Sequence, residues 1–158
     1  MVDRLEGEMS LARCPDIYLV LNTPKGRGVV ARSHIPARTI LDVCPVLVLS
    51  LEDNEKHIKH TELFHYTYNW PHQDEKGILR MHQAICFGLG SMFNHSHHNQ
   101  NVVWERDQQS KTITYRAARD IPPGEELCIS YGSHLTFTDA DSPEGEEEPE
   151  LLLDKIQI

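Results

Sequence analysis

The feature that most constrains this chain is the stretch over residues 88–101, which reads Gly-Leu-Gly-Ser-Met-Phe-Asn-His-Ser-His-His-Asn-Gln-Asn. It begins apolar and glycine-rich, and after Phe93 it becomes polar, with three histidines within four residues. A second unusual stretch, Glu-Leu-Cys-Ile-Ser-Tyr-Gly over residues 126–132, is a strand-like run that ends on Tyr131 beside a glycine. We interpret the rest of the chain as a scaffold that brings these two stretches together.

The composition is that of one folded domain with a tail. The 158 residues are 39% hydrophobic and 25% charged, which permits a packed core. No run approaches the roughly 18 apolar residues of a membrane span, and residues 1–13 lack the apolar core of a signal peptide. We therefore expect neither membrane insertion nor secretion.

The four cysteines are widely spaced, at Cys14, Cys44, Cys86 and Cys128, and form no C-x-x-C pair. This spacing argues against a structural zinc site and against a disulfide framework, and it favours a reducing intracellular location. Because Cys44 and Cys128 sit in apolar runs, we predict that both are core thiols.

The negative charge is concentrated in the tail. Residues 139–158 hold eight acidic residues and one lysine, whereas the other 138 residues hold 16 acids and 14 bases. Without a concentrated basic stripe, direct high-affinity binding of nucleic acid is not expected. An acidic rim could attract a basic peptide, and a solvated tail that aids solubility is the plainer interpretation.

The apolar pattern predicts many short strands and little helix, with no internal repeat. A short surface helix is predicted over 51–63, a second short helix over 85–93, and a polar loop over 71–76. Strands are predicted over 16–22, 29–32, 39–50 with a bend at Pro45, 66–71, 101–105, 112–116 and 127–131. The fold class predicted is mainly β, a compact fold of several short sheets with few short helices.

Each motif has a plain alternative when it is considered alone. Gly26-x-Gly28 between two strands lets the backbone approach a ligand, yet it also suits an ordinary hairpin turn. It is not a dinucleotide fingerprint, because a strand follows it. Asn94 could be a loop cap and Tyr131 a packed aromatic residue. We expect no metal site, because the histidines at 95, 97 and 98 lack a carboxylate at facial-triad spacing.

The motifs in their order resemble the SET domain of protein-lysine methyltransferases. The resemblance covers residues 16–133 and is carried by the following segments: Gly26-Arg27-Gly28-Val29-Val30-Ala31, Phe93-Asn94-His95-Ser96 with Asn101, the run 118–127, and Tyr131-Gly132. The strings 88–95 and 126–132 resemble the small stand-alone SET enzymes of fungi, one of which acts on histone H3. The family fold implies short β-sheets around a knot-like threaded crossing, where Asn94-His95 would pass close to Tyr131.

The chain departs from the commoner family pattern. Ser91 stands where an arginine is usual, His97 replaces a cysteine, Gln100 replaces a proline, and no zinc-binding cysteine cluster flanks the domain. We divide the chain into an N-terminal extension over 1–15, the SET domain over 16–133, and a C-terminal segment with the acidic tail over 134–158. That last segment or a second subunit would have to close the lysine channel, so a homodimer is expected.

The resemblance implies S-adenosylmethionine as methyl donor, S-adenosylhomocysteine as product and a lysine amine as acceptor. Tyr131 would supply the essential hydroxyl. The cofactor-binding residues implied are Gly26, Arg27 and Gly28 at the methionine end, Asn94 through its side-chain amide, His95 through its main chain on the adenine side, and Phe137. The substrate channel implied consists of Tyr66, Tyr68 and Ile129, and an isoleucine at this last position favours more than one methylation.

The function that follows is methylation of a protein lysine, with histone H3 as the expected substrate and the nucleus as the expected location, the cytoplasm remaining open. Two alternatives remain open at this point. One is a methyltransferase for a non-histone basic protein, and the other is a catalytically silent SET scaffold that binds chromatin partners. The sequence does not identify the target lysine.

Overall fold

The computed structural model describes residues 9–131, and within them the chain is mainly β, as predicted. The strands are β1 Ile17–Thr23, β2 Gly26–Ala31, β3 Ile40–Val48, β4 Thr67–Gln73, β5 Leu79–Cys86, β6 Asn94–His95, β7 Val102–Asp107, β8 Thr112–Ala117 and β9 Glu126–Ile129. The helical elements are the α-helix α1, Leu51–Lys56, and three short 3-10 turns, Ile58–His60, Glu62–Tyr66 and Leu89–Met92. No helix in this part of the chain has the length and apolar character needed to cross a bilayer.

The strands form two sheets. One has the order β1-β2-β9-β6 and the other the order β4-β5-β3-β8-β7. Strand β3 belongs to two pairings, because Ile40 to Pro45 face β8 and Val46 to Val48 face β5. The change of partner falls at the proline, which has no N–H to donate to a ladder. The bend predicted at Pro45 is therefore where β3 passes from one neighbour to the other.

At a crossing of the chain, β6 lies beside β9. Asn94 and His95 pair in parallel with Cys128 and Ile129. The buried Asn101 side chain fastens the crossing, since its amide donates to the Glu126 carbonyl at 2.8 Å and its oxygen accepts from the Cys128 N–H at 2.8 Å. The two stretches that the sequence singled out thus lie side by side.

The core lies between the sheets and is closed by aromatic residues. Trp70, Phe93 and Tyr115 are almost fully buried, and the rings of Phe93 and Tyr115 have centroids 4.9 Å apart. Cys44 and Cys128 are both buried, which confirms the prediction that they are core thiols.

Three local predictions were wrong. The segment predicted as a helix over 85–93 begins inside β5, which pairs with β4 from Leu79 to Ile85, and only Leu89–Met92 forms one 3-10 turn. Gly88, with φ +96°, separates the strand from the turn. The predicted loop over 71–76 is shorter, because β4 continues to Gln73. The surface helix predicted over 51–63 is α-helical only as far as Lys56. None of its residues is buried, so no packing against the core stabilises a longer helix.

Candidate active site

A cavity of about 750 Å³ opens where the β1–β2 turn, the 3-10 turn Glu62–Tyr66 and strand β6 meet. Its lining contains Leu21, Pro24, Lys25, Gly26, Arg27, Glu62, His65, Tyr66, Ser91, Met92, Asn94, His95 and Tyr131. The volume lies within the range of small-molecule and cofactor sites. Of the residues proposed for a site from the sequence, this cavity brings together Gly26, Arg27, Asn94, His95, Tyr66 and Tyr131.

The two glycines of the β1–β2 turn are needed for different reasons. Gly26 has φ +92° and open space around its Cα, so its role is conformational. A Cβ on Gly28 would lie 2.5 Å from Glu126 Oε1 and 2.9 Å from Asn94 Nδ2, so this position needs the missing side chain. The segment is an ordinary hairpin turn, and it is also approached closely by other groups. Those groups are side chains of the protein, Glu126 and Asn94.

Asn94 lies between the two stretches of backbone that flank the cavity. Its Nδ2 donates to the Arg27 carbonyl at 3.0 Å and to Glu126 Oε1 at 2.7 Å. The side chain is half-buried and borders the cavity.

His95 turns its ring into the protein and its carbonyl towards the cavity. The imidazole is buried, and its Nδ1 accepts the Tyr131 N–H at 3.1 Å. The ring also lies against the rings of His97 and Tyr131, with centroid distances of 4.5 and 5.3 Å. The His95 carbonyl accepts the Lys25 ammonium at 2.9 Å. A ligand at this point would therefore meet the main chain of His95.

Tyr131 follows the end of β9 by two residues, with its ring at the cavity and its hydroxyl donating to the Phe93 carbonyl at 2.6 Å. Burial is the main reason that the pKa of Tyr131 is raised to about 12, and the neighbouring Cys128 acts in the same direction. The phenol is thus uncharged at physiological pH. Since its proton is directed at Phe93, the oxygen meets any further partner as an acceptor.

Four of the residues proposed from the sequence do not line the cavity or lie outside the described residues, and Gly28, which faces Glu126 and Asn94, is one of them. Tyr68 directs its hydroxyl to the Gly90 carbonyl at 2.8 Å and packs edge-on against Trp104, with ring centroids 5.3 Å apart. Ile129 is fully buried in β9. Phe137 falls outside residues 9–131.

Buried side chains of the core hold the 3-10 turn Leu89–Met92 in place. The buried Asp42 carboxylate accepts the Leu89 N–H at 3.0 Å and pairs with Arg13 at 3.1 Å. A Cβ on Gly90 would lie 2.4 Å from the Tyr115 hydroxyl and 2.6 Å from Cys86 Sγ. The turn therefore packs directly against the core, and this contact fixes the position from which the chain continues to Asn94.

Sequence reasoning missed several members of the site. Lys25, Glu62, His65 and Met92 line the cavity, and Glu126 contacts Asn94. A cation inside a glycine turn could have marked Lys25. The contact of Glu126 depends on strand register, and the sequence carries no local signal for it.

The described residues contain no group of three or more side chains suited to hold a metal ion. All four cysteines are buried as free thiols. The three histidines around position 97 do not form a cluster of that kind within residues 9–131.

Comparison with known proteins gives concordant matches. A family model described as the SET domain matches residues 26–132. The Schizosaccharomyces pombe protein named "Histone-lysine N-methyltransferase, H3 lysine-37 specific" is 46% identical over 115 residues, which cover 73% of this chain and 72% of the relative. A solved Plasmodium falciparum structure, described as that of a proposed histone methyltransferase, aligns with a TM-score of 0.53 and 24% identity. It covers 75% of this chain and 95% of that one, and this likeness supports the fold alone.

Proposed function

This chain belongs to the SET-domain family and is a protein-lysine N-methyltransferase, and on that premise we propose that it moves a methyl group from S-adenosylmethionine to a lysine of histone H3. The observation that carries the proposal is the meeting of Gly26, Asn94, His95 and Tyr131 around one cavity of about 750 Å³. The choice of histone H3 is supported by the 46% identity to a relative named for that substrate. A histone substrate supports the proposal that the enzyme acts in the nucleus.

The residues of the cavity fit an amino-acid nucleoside such as S-adenosylmethionine. Lys25 and Arg27 supply cations for its carboxylate, and Lys25 is of special interest because Ser91 stands where the family usually has an arginine. The carbonyl of His95 accepts the Lys25 ammonium, and its second lone pair can accept from the adenine side of the ligand. When bound, the cofactor supplies an electrophilic methyl group on a sulfonium.

The amine must be uncharged to attack, and the protein helps in two ways. A free lysine has a pKa of about 10.4, and removal from water beside another cation disfavours its charged form. The Tyr131 hydroxyl donates its own proton to a hydrogen bond with the Phe93 carbonyl. Its oxygen can therefore accept an N–H of the amine and orient the nitrogen lone pair. This role is positioning and electrostatic, and it needs no phenolate.

In the proposal, closure of the lysine channel and formation of a homodimer involve residues outside 9–131. Phe137, Leu135 and residues 151–153 are the chain's available material for closing the lysine channel, together with a second subunit in the homodimer that we propose. Tyr66 in the cavity lining is the channel residue for which the described part of the chain offers support. The number of methyl groups transferred, for which Ile129 favours more than one, remains part of the proposal.

Labelled S-adenosylmethionine, incubated with the purified protein and with each core histone in turn, tests the proposal. We expect the label on histone H3, and mass spectrometry would then identify the lysine and the number of methyl groups. The Tyr131→Phe variant serves as the matched control. Label on a non-histone protein of a cell extract and none on H3 would contradict the substrate, and no transfer to any protein would contradict the proposed reaction.

A further inference from the structure

We propose that Glu126 is a positioning residue: it fixes the amide of Asn94 so that Oδ1, and not the NH₂ group, faces the bound cofactor and accepts from its α-ammonium group. The inference rests on the proposed cofactor and extends it to a residue outside the cavity lining. It follows from the hydrogen bonds around Asn94 and from the space beside Gly28.

The orientation of the Asn94 amide is determined by its partners. Nδ2 lies 3.0 Å from the Arg27 carbonyl oxygen and 2.7 Å from Glu126 Oε1. A carbonyl and a carboxylate oxygen are acceptors, so the group that meets them must be the NH₂. Both N–H bonds of Asn94 are thereby used, and its oxygen is the atom left for the cavity.

An acceptor at this place selects one part of the ligand. The amino-acid end of S-adenosylmethionine carries a carboxylate and an ammonium. Lys25 and Arg27 provide cations in the same cavity for the carboxylate, and the Asn94 oxygen suits the ammonium. A flipped amide would direct its NH₂ at the ammonium and lose a charge-assisted hydrogen bond. Donation from Nδ2 to a carboxylate also polarises the amide and strengthens its oxygen as an acceptor.

The fold places Glu126 for this contact. Strands β2 and β9 pair with Val30 opposite Glu126, and β6 lies on the other side of β9. The carboxylate therefore lies between Asn94 and the β1–β2 turn. It occupies the space that a side chain at position 28 would take, since a Cβ there would be 2.5 Å from Glu126 Oε1. Gly28 and Glu126 act together as one support.

The test compares two ligands that differ in the group concerned. S-Adenosylhomocysteine has the amino-acid end, and 5′-methylthioadenosine has the nucleoside and sulfur without it. Dissociation constants would be measured by competition, up to millimolar ligand, for the wild type and for Glu126→Ala, Glu126→Gln and Gly28→Ala. Thermal unfolding of each variant would show that it is folded.

We expect Glu126→Ala to weaken binding of S-adenosylhomocysteine about tenfold or more and to change that of 5′-methylthioadenosine less than about twofold. Gly28→Ala should show the same selectivity, because its methyl group would crowd both the Glu126 carboxylate and the Asn94 amide and so disturb their hydrogen bond. Glu126→Gln keeps an acceptor oxygen and should lose less than Glu126→Ala.

The two levels of the proposal fail differently. A wild-type protein that binds neither ligand would overturn the cofactor assignment itself. If the wild type binds but folded Glu126→Ala and Gly28→Ala bind both ligands equally weakly or as well as the wild type, Glu126 does not act through Asn94. The cofactor assignment would then stand without the positioning role. Should Glu126→Ala not fold, Gly28→Ala and Glu126→Gln decide the question by the same ratio of constants.

Discussion

The hydrogen bond from Tyr131 to the Phe93 carbonyl defines what this residue can do. With the proton so placed, and with burial raising the pKa of Tyr131 to about 12, the residue is an acceptor and not a base over the range in which the enzyme works. The site thus has no need of a titrating tyrosine, and the proton lost by the substrate lysine must leave to solvent.

The rate should therefore rise with pH from about 7 to about 10, as more of the substrate lysine becomes neutral, without a fall caused by Tyr131. As the pH rises, Tyr131 also loses its hydroxyl proton at a lower pH in the unfolded chain than in the folded protein, because folding raises its pKa. Stability linked to it is present below about pH 10 and is lost as the pH rises from about 10 to about 12. Initial rates at saturating cofactor, with circular dichroism at each pH, check both points. A falling limb below pH 10 in a folded enzyme would contradict them.

Asn94→Ala should abolish cofactor binding and leave the fold intact, because it removes the oxygen offered to the ligand and leaves a half-exposed position empty. We expect the dissociation constant to rise about 100-fold or more, measured by calorimetry. Asn99→Ala, in the loop that follows β6 and exposed to solvent, is the matched control and should bind as the wild type does. Unchanged affinity in folded Asn94→Ala would remove this residue from the site.

At the scale of elements, the 3-10 turn Leu89–Met92 connects the core to strand β6, whose two residues line the cavity. Gly90 packs directly on Tyr115 and Cys86, and those two side chains touch each other, with the Cys86 sulfur 3.5 Å from the Tyr115 oxygen. Burial raises the pKa of Tyr115, which stays protonated in this contact. A change in this contact should be transmitted to Phe93 and Asn94.

Gly90→Ala should destabilise the protein by about 1–3 kcal/mol, because the added methyl would lie 2.4 Å from the Tyr115 hydroxyl. Urea denaturation measures the change. The double variant Gly90→Ala with Tyr115→Phe removes the atom in closest conflict and should regain part of the loss relative to Tyr115→Phe alone. Gly77→Ala has open space around it and serves as the control, although its φ of +74° carries some backbone strain. Additive effects of the two changes would show that the contact is not direct.

Elements with β-branched and apolar runs could be predicted from the sequence, and β1, β7 and β8 lie within a residue or two of their predicted positions. Strand β5 was not predicted: its first half alternates only briefly, as Leu79-Arg80-Met81-His82, and both of these apolar side chains are exposed, so no buried face marks it. It is a strand because β4 pairs with it along seven residues, from Thr67–Ile85 to Gln73–Leu79. The two strands form a hairpin around residues 74–78, so the usable signal was the turn between them and not an apolar run.

Of the site, the sequence could predict only the residues that belong to a recognisable family motif. Asn94 and Tyr131 are 37 positions apart, and their meeting depends on the parallel pairing of β6 with β9, which no spacing rule gives. Glu126 was part of the same motif string, yet its contact with Asn94 exists because Gly28 leaves room for it. Tyr68 was proposed for the channel because it is aromatic and near Tyr66. Tyr66 ends the 3-10 turn Glu62–Tyr66 and lines the cavity, whereas Tyr68 belongs to β4 and its hydroxyl donates to the Gly90 carbonyl.

At the scale of the whole molecule, the fold should be independent of metal. The four cysteines are free thiols in the core, and the sheets meet through apolar side chains and the Asn101 hydrogen bonds. Dialysis against a chelator should leave both the unfolding midpoint and the methyl-transfer rate unchanged. Elemental analysis of the purified protein provides the control, and one equivalent of tightly held zinc, lost together with activity, would be incompatible with this view.

The measurement that tests the account most directly is single-turnover methyl transfer to histone H3 by the wild type and by Tyr131→Phe, with cofactor affinity determined in parallel. The substitution keeps ring and packing and removes one hydroxyl, and its hydrogen bond to Phe93 is worth on the order of 1 kcal/mol of stability. If that oxygen holds the amine in the transition state, the rate should fall about 100-fold or more, equivalent to roughly 2.7 kcal/mol, and cofactor affinity should change less than about threefold. A folded Tyr131→Phe enzyme that keeps most of its rate would contradict the central role given to Tyr131, and Tyr66 in the cavity wall would be the next residue to test.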